Sequence, residues 1–225
     1  LTVYKELEQG TPEWLDARCG ILTASVIGQL ITTKTLKPAS NDTARSLTMN
    51  LAAERITGYV EPMTMSRDME RGTLDEPFAR DKYAEHYAPV EEIGFMVREF
   101  DGCKIGYSPD GLVGDDGLIE IKSRKQKVQL KTVLADEVPA ENMAQIQTGL
   151  LVSGREWCDY VSYSGGMKLY VKRVWPDTGW HDAILKAARS FETAATQMID
   201  AYLTRTADAP MTERIDHYAD LELTF

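Results

Sequence analysis

The hydrophobic pattern of this chain changes its period between residues 86 and 91, and this change constrains the fold more than any other feature. Before it, apolar residues recur at the three-to-four-residue spacing of helices. After it come short segments separated by glycine-containing turns, as in strands. The order helices, strands, helices, strands, helix predicts a mixed α/β (α+β) fold, with a small central mixed sheet flanked by helices.

The predicted elements follow from this pattern and from capping residues. Thr11 and Pro12 suit the start of a helix, Gly58 suits the end of another, and Pro77 must either kink a third or begin a new one. The predicted helices are 12–20, a segment from about residue 25, 43–57, 66–86, 125–135, 141–152 and 180–203. The predicted strands are 91–97, 102–107, 118–122, 157–162 and 168–175, with a turn at 114–117 joining the second and third.

Length and composition predict one domain over residues 1–225, because single cores grow to roughly 250–300 residues. The apolar runs are too short to cross a bilayer, so no membrane association is expected. Three widely separated cysteines, Cys19, Cys103 and Cys158, suit a reducing compartment and exclude a four-cysteine metal site from this chain alone. A cytoplasmic protein is therefore expected.

The charge is unevenly distributed in a chain whose net charge is −10. Residues 122–135 carry five basic residues and no acid, whereas the tail 206–225 carries five acidic residues and one arginine. Either run can be an ordinary solvated face. A basic wall inside an acidic molecule is also compatible with an enzyme that binds DNA in one groove.

Two short segments carry the strongest chemical signal. Asp110 lies in Ser-Pro-Asp-Gly after the second strand, and Glu120 and Lys122 lie two apart on the third, so both project from one face. A hairpin would bring the two carboxylates together beside the lysine. Such a site suits Mg²⁺ or Mn²⁺ and metal-assisted phosphodiester hydrolysis. Each segment alone is also an ordinary turn or a half-buried strand.

Four further residues suit the same chemistry, and each also has a purely structural interpretation. Glu76 can supply a third carboxylate through water, and Gln145 can orient a nucleophile or a phosphate oxygen. Ser25 at a helix start and Arg18 can hold a phosphate. Alternatively, Glu76 and Gln145 are solvated flanks, Ser25 is an N-cap and Arg18 is a cation at a helix C-terminus.

The ordered set resembles the phage lambda-type exonucleases, or YqaJ-type viral recombinases, of the PD-(D/E)xK nuclease superfamily. The resemblance covers roughly residues 10–152, and the strands and helix at 157–203 carry no family motif. The matching segments are Glu13-Trp14, Arg18 to Ser25, Gly72 with Glu76, Ser108 to Gly111, Glu120 to Lys122, and Met143 to Gln147. The resemblance implies a restriction-endonuclease-like fold and a single nuclease domain.

The resemblance also implies an activity: 5′→3′ digestion of linear double-stranded DNA to mononucleotides, leaving 3′ single strands for phage recombination. It implies Mg²⁺ as the cofactor, with two ions in the site and Mn²⁺ as a substitute. It implies these roles: Asp110, Glu120 and the Ile121 carbonyl as metal ligands, Glu76 on the second-metal side, Lys122 and Gln145 at the attacking water, and Arg18 and Ser25 at the 5′-phosphate.

Assembly and partners are implied in the same way. Family members include ring-shaped homotrimers around a DNA channel, and they work with a single-strand annealing protein in the bacterial host cytoplasm. Arg124, Lys125, Lys127 and Lys131 are expected to line the DNA groove. Two alternatives stay open: another PD-(D/E)xK nuclease, either an endonuclease or a single-strand-specific enzyme, and a non-catalytic DNA-binding module on a degenerate nuclease fold.

Overall fold

The computed structural model describes residues 1–62 and 65–215. Its α-helices are α1 (Pro12–Arg18), α2 (Ala24–Ile27), α3 (Asp42–Thr57), α4 (Arg67–His86), α5 (Gln126–Ala135), α6 (Ala140–Ser153) and α7 (Thr178–Arg205). Its strands are β1 (Thr2–Tyr4), β2 (Leu22–Thr23), β3 (Ile31–Thr32), β4 (Lys37–Pro38), β5 (Phe95–Phe100), β6 (Cys103–Tyr107), β7 (Gly111–Val113), β8 (Gly117–Ser123), β9 (Trp157–Tyr163) and β10 (Tyr170–Val174). The predicted mixed α/β class is confirmed.

The strands of the described residues form two four-stranded sheets and a small two-stranded one. The first sheet has the order β1-β5-β6-β2 and the second has the order β10-β9-β8-β7. β2 runs parallel to β6 and β8 runs parallel to β9, whereas the other pairs are antiparallel. Glu91, in the segment that leads into β5, exchanges both backbone hydrogen bonds with Leu112 of β7, at 2.9 and 2.8 Å.

Most predicted elements lie within a few residues of their predicted bounds, and three differences concern the site. β7 was not predicted, so the turn at 114–117 joins β7 to β8 rather than β6 to β8. The strand predicted from Glu91 begins at Phe95. α4 continues through Pro77 as one helix, so the second helix allowed for at that position does not form.

β8 is buried over its first five residues because apolar clusters cover both of its faces. Leu118 belongs to the main core, together with Ile105, Ile146 and Ile184 of the surrounding elements. Ile119 and Ile121 point the other way, into a smaller cluster. Burying one such side chain stabilises the fold by about 1.5–3 kcal/mol. A polar residue on this strand is therefore held in a fixed, largely dry position.

Three further predictions concern the cysteines, membrane-spanning helices and the acidic tail. Cys19, Cys103 and Cys158 are all unpaired. Within residues 1–62 and 65–215, no helix is both long enough and apolar enough to span a membrane. The predicted acidic tail lies outside the described residues from residue 216 onward.

Candidate active site

The β7–β8 hairpin brings two predicted carboxylates to one end of the sheet. Asp110 lies in the connection between β6 and β7, and Gly111 pairs with Ile119 across the hairpin. The Oδ2 atom of Asp110 accepts a hydrogen bond from the backbone N–H of Ile121 at 2.6 Å. This bond fixes the Asp110 carboxylate against β8, at the residue that follows Glu120. The predicted return of the chain toward Asp110 is confirmed.

Glu120 and Lys122 share one face of β8, as their spacing predicts. The side chain of Glu120 is 0% exposed, and its Oε1 atom forms an ion pair with Nζ of Lys122. Its other oxygen, Oε2, is buried and has no hydrogen-bond partner among the described residues. A buried carboxylate oxygen without a donor is unfavourable, and a bound cation would satisfy it.

The electrostatics of this cluster follow from burial and from like charges at close range. Burial raises the pKa of Glu120 to about 8; the Lys122 ammonium opposes this rise and the Asp110 carboxylate adds to it. Burial also raises the pKa of Asp110, against the effect of Lys122. For Lys122, burial acts to lower the pKa, but the Glu120 and Asp110 carboxylates outweigh it and raise the pKa. The single Lys122 ammonium therefore does not offset the cost of burying the two carboxylates.

Glu76 is the third carboxylate of this region, on α4. Burial raises its pKa to about 7, and the neighbouring Asp110 carboxylate adds to the rise. Its Oε1 atom forms an ion pair with Arg80, one helical turn further along α4. In residues 1–62 and 65–215, no three acidic, histidine or cysteine side chains are grouped closely enough to hold a metal ion. Glu76 thus lies near the two other carboxylates, but its own carboxylate is paired with Arg80.

Arg80 is a site residue that the sequence analysis missed. Its guanidinium donates from Nε to the carbonyl oxygen of Asp110 at 2.8 Å, and its Nη1 lies 2.7 Å from Glu92. The side chain is only 12% exposed. Its spacing of four residues from Glu76 was the one available signal, because such residues face each other on a helix.

A cavity of about 160 Å³ opens beside Asp110. Its lining residues are Gln9, Trp14, Arg18, Thr23, Ala24, Ser25, Tyr107, Ser108, Asp110 and Gln145. The structure thus brings together Arg18, Ser25, Gln145 and Asp110, which the sequence places on α1, α2, α6 and the β6–β7 connection. Asp110 belongs both to this cavity and to the carboxylate cluster.

Arg18 is held at the cavity by two side chains for which the sequence analysis proposed no role. Its Nη1 donates to Oγ of Ser108 at 2.9 Å, and its guanidinium lies 3.9 Å from the ring centre of Trp14. The indole N–H of Trp14 also donates to Ser108, at 3.0 Å. Burial lowers the pKa of Arg18 to about 10, so the guanidinium is still charged at neutral pH. The cavity therefore contains a fixed, partly desolvated positive charge.

Ser25 lies at the cavity and at the start of its helix, as predicted, but it is not the N-cap residue. Thr23 is the N-cap residue of α2, and Ser25 is the second helical residue, so the N-cap interpretation of Ser25 is wrong. The hydroxyl oxygens of the two residues are 3.1 Å apart, and Nη2 of Arg18 lies 3.5 Å from Thr23. Arg18 itself is the last residue of α1, so its structural interpretation as a helix C-terminal cation is compatible with its place in the cavity.

The loop between Arg18 and α2 is clamped at Gly20. The N–H of Gly20 donates to Glu54 at 2.8 Å, and its carbonyl accepts from Nε of Arg55 at 2.7 Å. Arg55 in turn forms a bidentate pair with Glu192 of α7, at 2.6 and 2.8 Å. Gly20 has φ = +66°, and a Cβ there would lie 2.4 Å from Cγ of Arg55. Only glycine fits this clamp.

The four basic residues expected to line a groove have different surroundings. Arg124 donates to Asn142 at 2.6 Å and is half-buried, and Lys125 pairs with Asp68 at 2.9 Å. Both line a second cavity of about 300 Å³. Lys127 and Lys131 are exposed on α5.

Comparison with known proteins identifies the family. Residues 13–156 match the YqaJ-like viral recombinase domain. The chain belongs to this family. The matched range contains all the residues that the sequence analysis proposed for the site. No curated protein matches the chain significantly.

Solved structures of exonucleases are similar to this family member over most of its length. The alkaline exonuclease LHK-Exo from Laribacter hongkongensis is 32% identical, with a TM-score of 0.76 over 88% of this chain and 98% of that one. A second structure of LHK-Exo, in complex with dAMP, is 30% identical, with a TM-score of 0.77 over 89% of this chain and 100% of that one. A phage-related exonuclease from Haemophilus somnus 129PT shares the fold at 14% identity, with a TM-score of 0.61 over 81% and 96% of the two chains.

These likenesses confirm the family resemblance and the PD-(D/E)xK-like fold. The chain is a homologue of an alkaline exonuclease, in a viral recombinase family.

Proposed function

We propose that this chain is a Mg²⁺-dependent 5′→3′ exonuclease that degrades linear double-stranded DNA to mononucleotides. One observation carries the proposal: Asp110 lines the cavity that contains Arg18, and its carboxylate is also bonded to the backbone of β8 beside Glu120. A DNA end whose phosphate enters the cavity would therefore place a phosphodiester bond next to the carboxylates.

The donor atoms suit a divalent cation. Asp110 and Glu120 would hold Mg²⁺, together with the backbone carbonyl of Ile121, and Mn²⁺ would substitute for it. The unpartnered Oε2 of Glu120 and the raised pKa values of Glu120 and Asp110 support this assignment. Glu76 would serve a second ion, through water. When bound, such ions neutralise charge on the phosphate and make water more acidic.

Lys122 and Gln145 would act at the reacting centre. The raised pKa of Lys122 keeps its ammonium protonated at neutral pH, so it would hold the attacking water and offset charge on the phosphate rather than remove a proton. Gln145 lines the cavity from α6, where its amide can donate to a phosphate oxygen or to that water.

Arg18 would hold the terminal 5′-phosphate, assisted by Ser25 and Ser108. A guanidinium with two parallel N–H donors suits a phosphate, and the Trp14 ring fixes its plane. LHK-Exo has been solved in complex with dAMP, which supports a nucleoside monophosphate as a ligand of the present chain.

The wider role follows from the family. We propose that the nuclease prepares 3′ single strands for phage recombination and passes them to a single-strand annealing protein. A ring-shaped trimer would gather Lys125, Lys127 and Lys131, with Arg124 behind them, around the DNA and leave the acidic surface outside. Exposed apolar residues on α5, Leu130 at 51% and Leu134 at 76%, support burial of this helix in an assembly.

A single substrate tests the activity and its polarity. The duplex is linear, with a 5′-phosphate at one end and a 5′-hydroxyl at the other, and it is incubated with Mg²⁺ or with a chelator. We expect mononucleotides from the phosphorylated end in Mg²⁺ alone. Internal cuts would instead indicate an endonuclease, digestion of single strands only would indicate a single-strand nuclease, and DNA binding without cleavage in any divalent metal would indicate a degenerate module.

The same substrate tests the phosphate site. Arg18→Ala should raise the KM for the 5′-phosphorylated end by about 10–100-fold and reduce the preference over the hydroxyl end, because a charge-assisted contact contributes about 1.5–3 kcal/mol. Arg45→Ala, at an exposed arginine of α3, is the matched control and should behave as wild type. An unchanged end preference in Arg18→Ala would remove this residue from the phosphate site.

A further inference from the structure

Arg80 is the one cation in direct contact with Glu76 among the described residues, and this contact bears on how Glu76 could serve a metal ion. The Arg80 guanidinium has three partners: the Glu76 carboxylate, the Glu92 carboxylate at 2.7 Å and the Asp110 carbonyl at 2.8 Å. The Arg80 side chain is 12% exposed and contacts two carboxylates. Its single positive charge therefore faces two negative charges.

The three contacts have different consequences for movement. The bond from Nε to the Asp110 carbonyl anchors the guanidinium to the β6–β7 connection. The two terminal nitrogens then point to different carboxylates: Nη2 to Glu76, whose side chain is 31% exposed, and Nη1 to Glu92, whose side chain is 68% exposed. Losing Glu76 would leave Arg80 with an anchor and one full charge partner.

We propose that Arg80 is a positioning residue that controls a second divalent-cation site at Glu76: its guanidinium competes with the cation for the Glu76 carboxylate and passes to Glu92 when the cation binds there. The inference rests on the proposed function. Arg80 competes with the cation for the Glu76 carboxylate, and Glu92 lowers the cost of the exchange because a charged guanidinium is not left unpaired in a half-buried position.

Opposite effects in two variants would distinguish this role from simple structural support. Arg80→Gln removes the competitor, so the weaker cation site should become tighter, by about tenfold for the loss of one charge-assisted hydrogen bond. Glu92→Gln removes the alternative partner, so Arg80 should stay on Glu76 and the weaker site should become several-fold weaker. The tighter site, at Asp110 and Glu120, should keep its affinity in both variants.

The measurement is titration of the full chain with Mn²⁺ alone, by calorimetry or by the electron paramagnetic resonance signal of free Mn²⁺. Glu91→Gln is the matched control: it removes the same charge from the adjacent residue, but Glu91 pairs with Lys5 at 3.1 Å and not with Arg80. Its cation affinities should equal those of wild type. Arg80→Lys keeps a positive charge at the position and should stay closer to wild type than Arg80→Gln.

Each outcome bears on the proposal. A weaker site that tightens in Arg80→Gln and loosens in Glu92→Gln supports it, and equal affinities, or changes of the same sign, overturn it. If Arg80→Gln does not fold, the exposed Glu92→Gln variant decides alone against its control. One bound Mn²⁺ per wild-type chain would overturn the role of Arg80 and leave the proposed function standing, whereas no bound Mn²⁺ would overturn both.

Discussion

At the scale of the residue, the site is defined by charges held close together with little water. Glu120 is fully buried on a strand that is covered on both faces, and its one charged partner in the described structure is Lys122. The ammonium group is thus part of the structure as well as of the proposed chemistry. A test substitution of Lys122 should therefore remove the positive charge and keep the apolar part of the side chain.

Lys122→Met meets that requirement. We expect cleavage of linear DNA to fall by about 10²–10³-fold, the usual cost of removing one group that stabilises charge in the transition state. DNA binding in Mg²⁺ should change little, since the phosphate cavity and α5 are untouched. Single-turnover cleavage and a binding assay measure the two effects. Lys104→Met, at an exposed lysine of β6, is the control, and full activity in Lys122→Met would exclude the proposed role.

The sequence predicted part of this site because its residues lie in short linear patterns. Asp110, Glu120 and Lys122 are on one hairpin, where spacing alone predicts proximity. No role was predicted for Ser108, and Arg80 was missed, because their contacts join segments far apart in sequence: Ser108 to Arg18, and Arg80 to the Asp110 carbonyl. The N-cap alternative for Ser25 was wrong because Thr23, equally suited to capping, occupies that position.

At the scale of the element, the cavity beside Asp110 depends on how closely α6 approaches β6. Gly149 of α6 faces the ring of Tyr107, and a Cβ at that position would lie 2.7 Å from Cζ of the ring. Tyr107 is 1% exposed and lines the cavity. The absence of a side chain at residue 149 thus allows Gln145, one helical turn earlier, to reach the same cavity.

Gly149→Ala should destabilise the protein by about 1–3 kcal/mol, because overpacking forces a buried ring to move. Gly72→Ala is a matched control within a helix: a Cβ at residue 72 meets nothing within 4 Å. That control should stabilise by about 0.5–1 kcal/mol, since alanine is the better helix former. Denaturant unfolding measures both, and equal effects of the two substitutions would contradict the close packing.

His181, in the first turn of α7, should make the stability of the fold sensitive to acid. Burial lowers the pKa of His181, and its Nε2 atom is buried without a partner among the described residues. A base whose pKa is lowered on folding gives stability that is full above its unfolded value, about 6.5, and is lost as the pH falls through the folded value. His181→Gln should reduce the fall in Tm between pH 7.5 and 5; an identical fall would show that other groups cause it.

The elements themselves were largely predictable, and the exceptions have physical reasons. Helices such as α3 are long and end at glycine, so their period and their caps agree. β7 has three residues, too few for an alternating pattern to be recognised, and it is positioned by pairing with β8. α4 passes through Pro77 because Ala79 and Tyr83 bury the helix beyond it against the smaller cluster, and this packing outweighs one lost hydrogen bond.

At the scale of the whole molecule, a net charge of −10 opposes DNA binding, so we expect the proposed contact with DNA to be confined to a basic face. Lys127 and Lys131 are exposed on α5 and are the simplest candidates for phosphate contacts. Binding should weaken as salt rises, with a slope of log K against log salt of about −0.9 for each phosphate neutralised.

The double variant Lys127→Gln/Lys131→Gln should reduce that slope by about 2 in magnitude. Lys34→Gln/Lys37→Gln, two exposed lysines of the β3–β4 hairpin, removes the same charge elsewhere and should leave the slope unchanged. Equilibrium binding at four or more salt concentrations gives the values. The same slope for both double variants would exclude α5 as a contact surface.

The clamp on Gly20 changes what counts as the smallest working unit of this protein. The recognisable family sequence stops at residue 156, yet the loop between Arg18 and Ser25 is held by Arg55, which is itself held by Glu192. A gene fragment or an expression fragment that ends with the family sequence would keep every signature residue and lose this buttress. The family signature alone is therefore an incomplete guide to a competent chain, since the C-terminal helix α7 holds the loop that carries part of it.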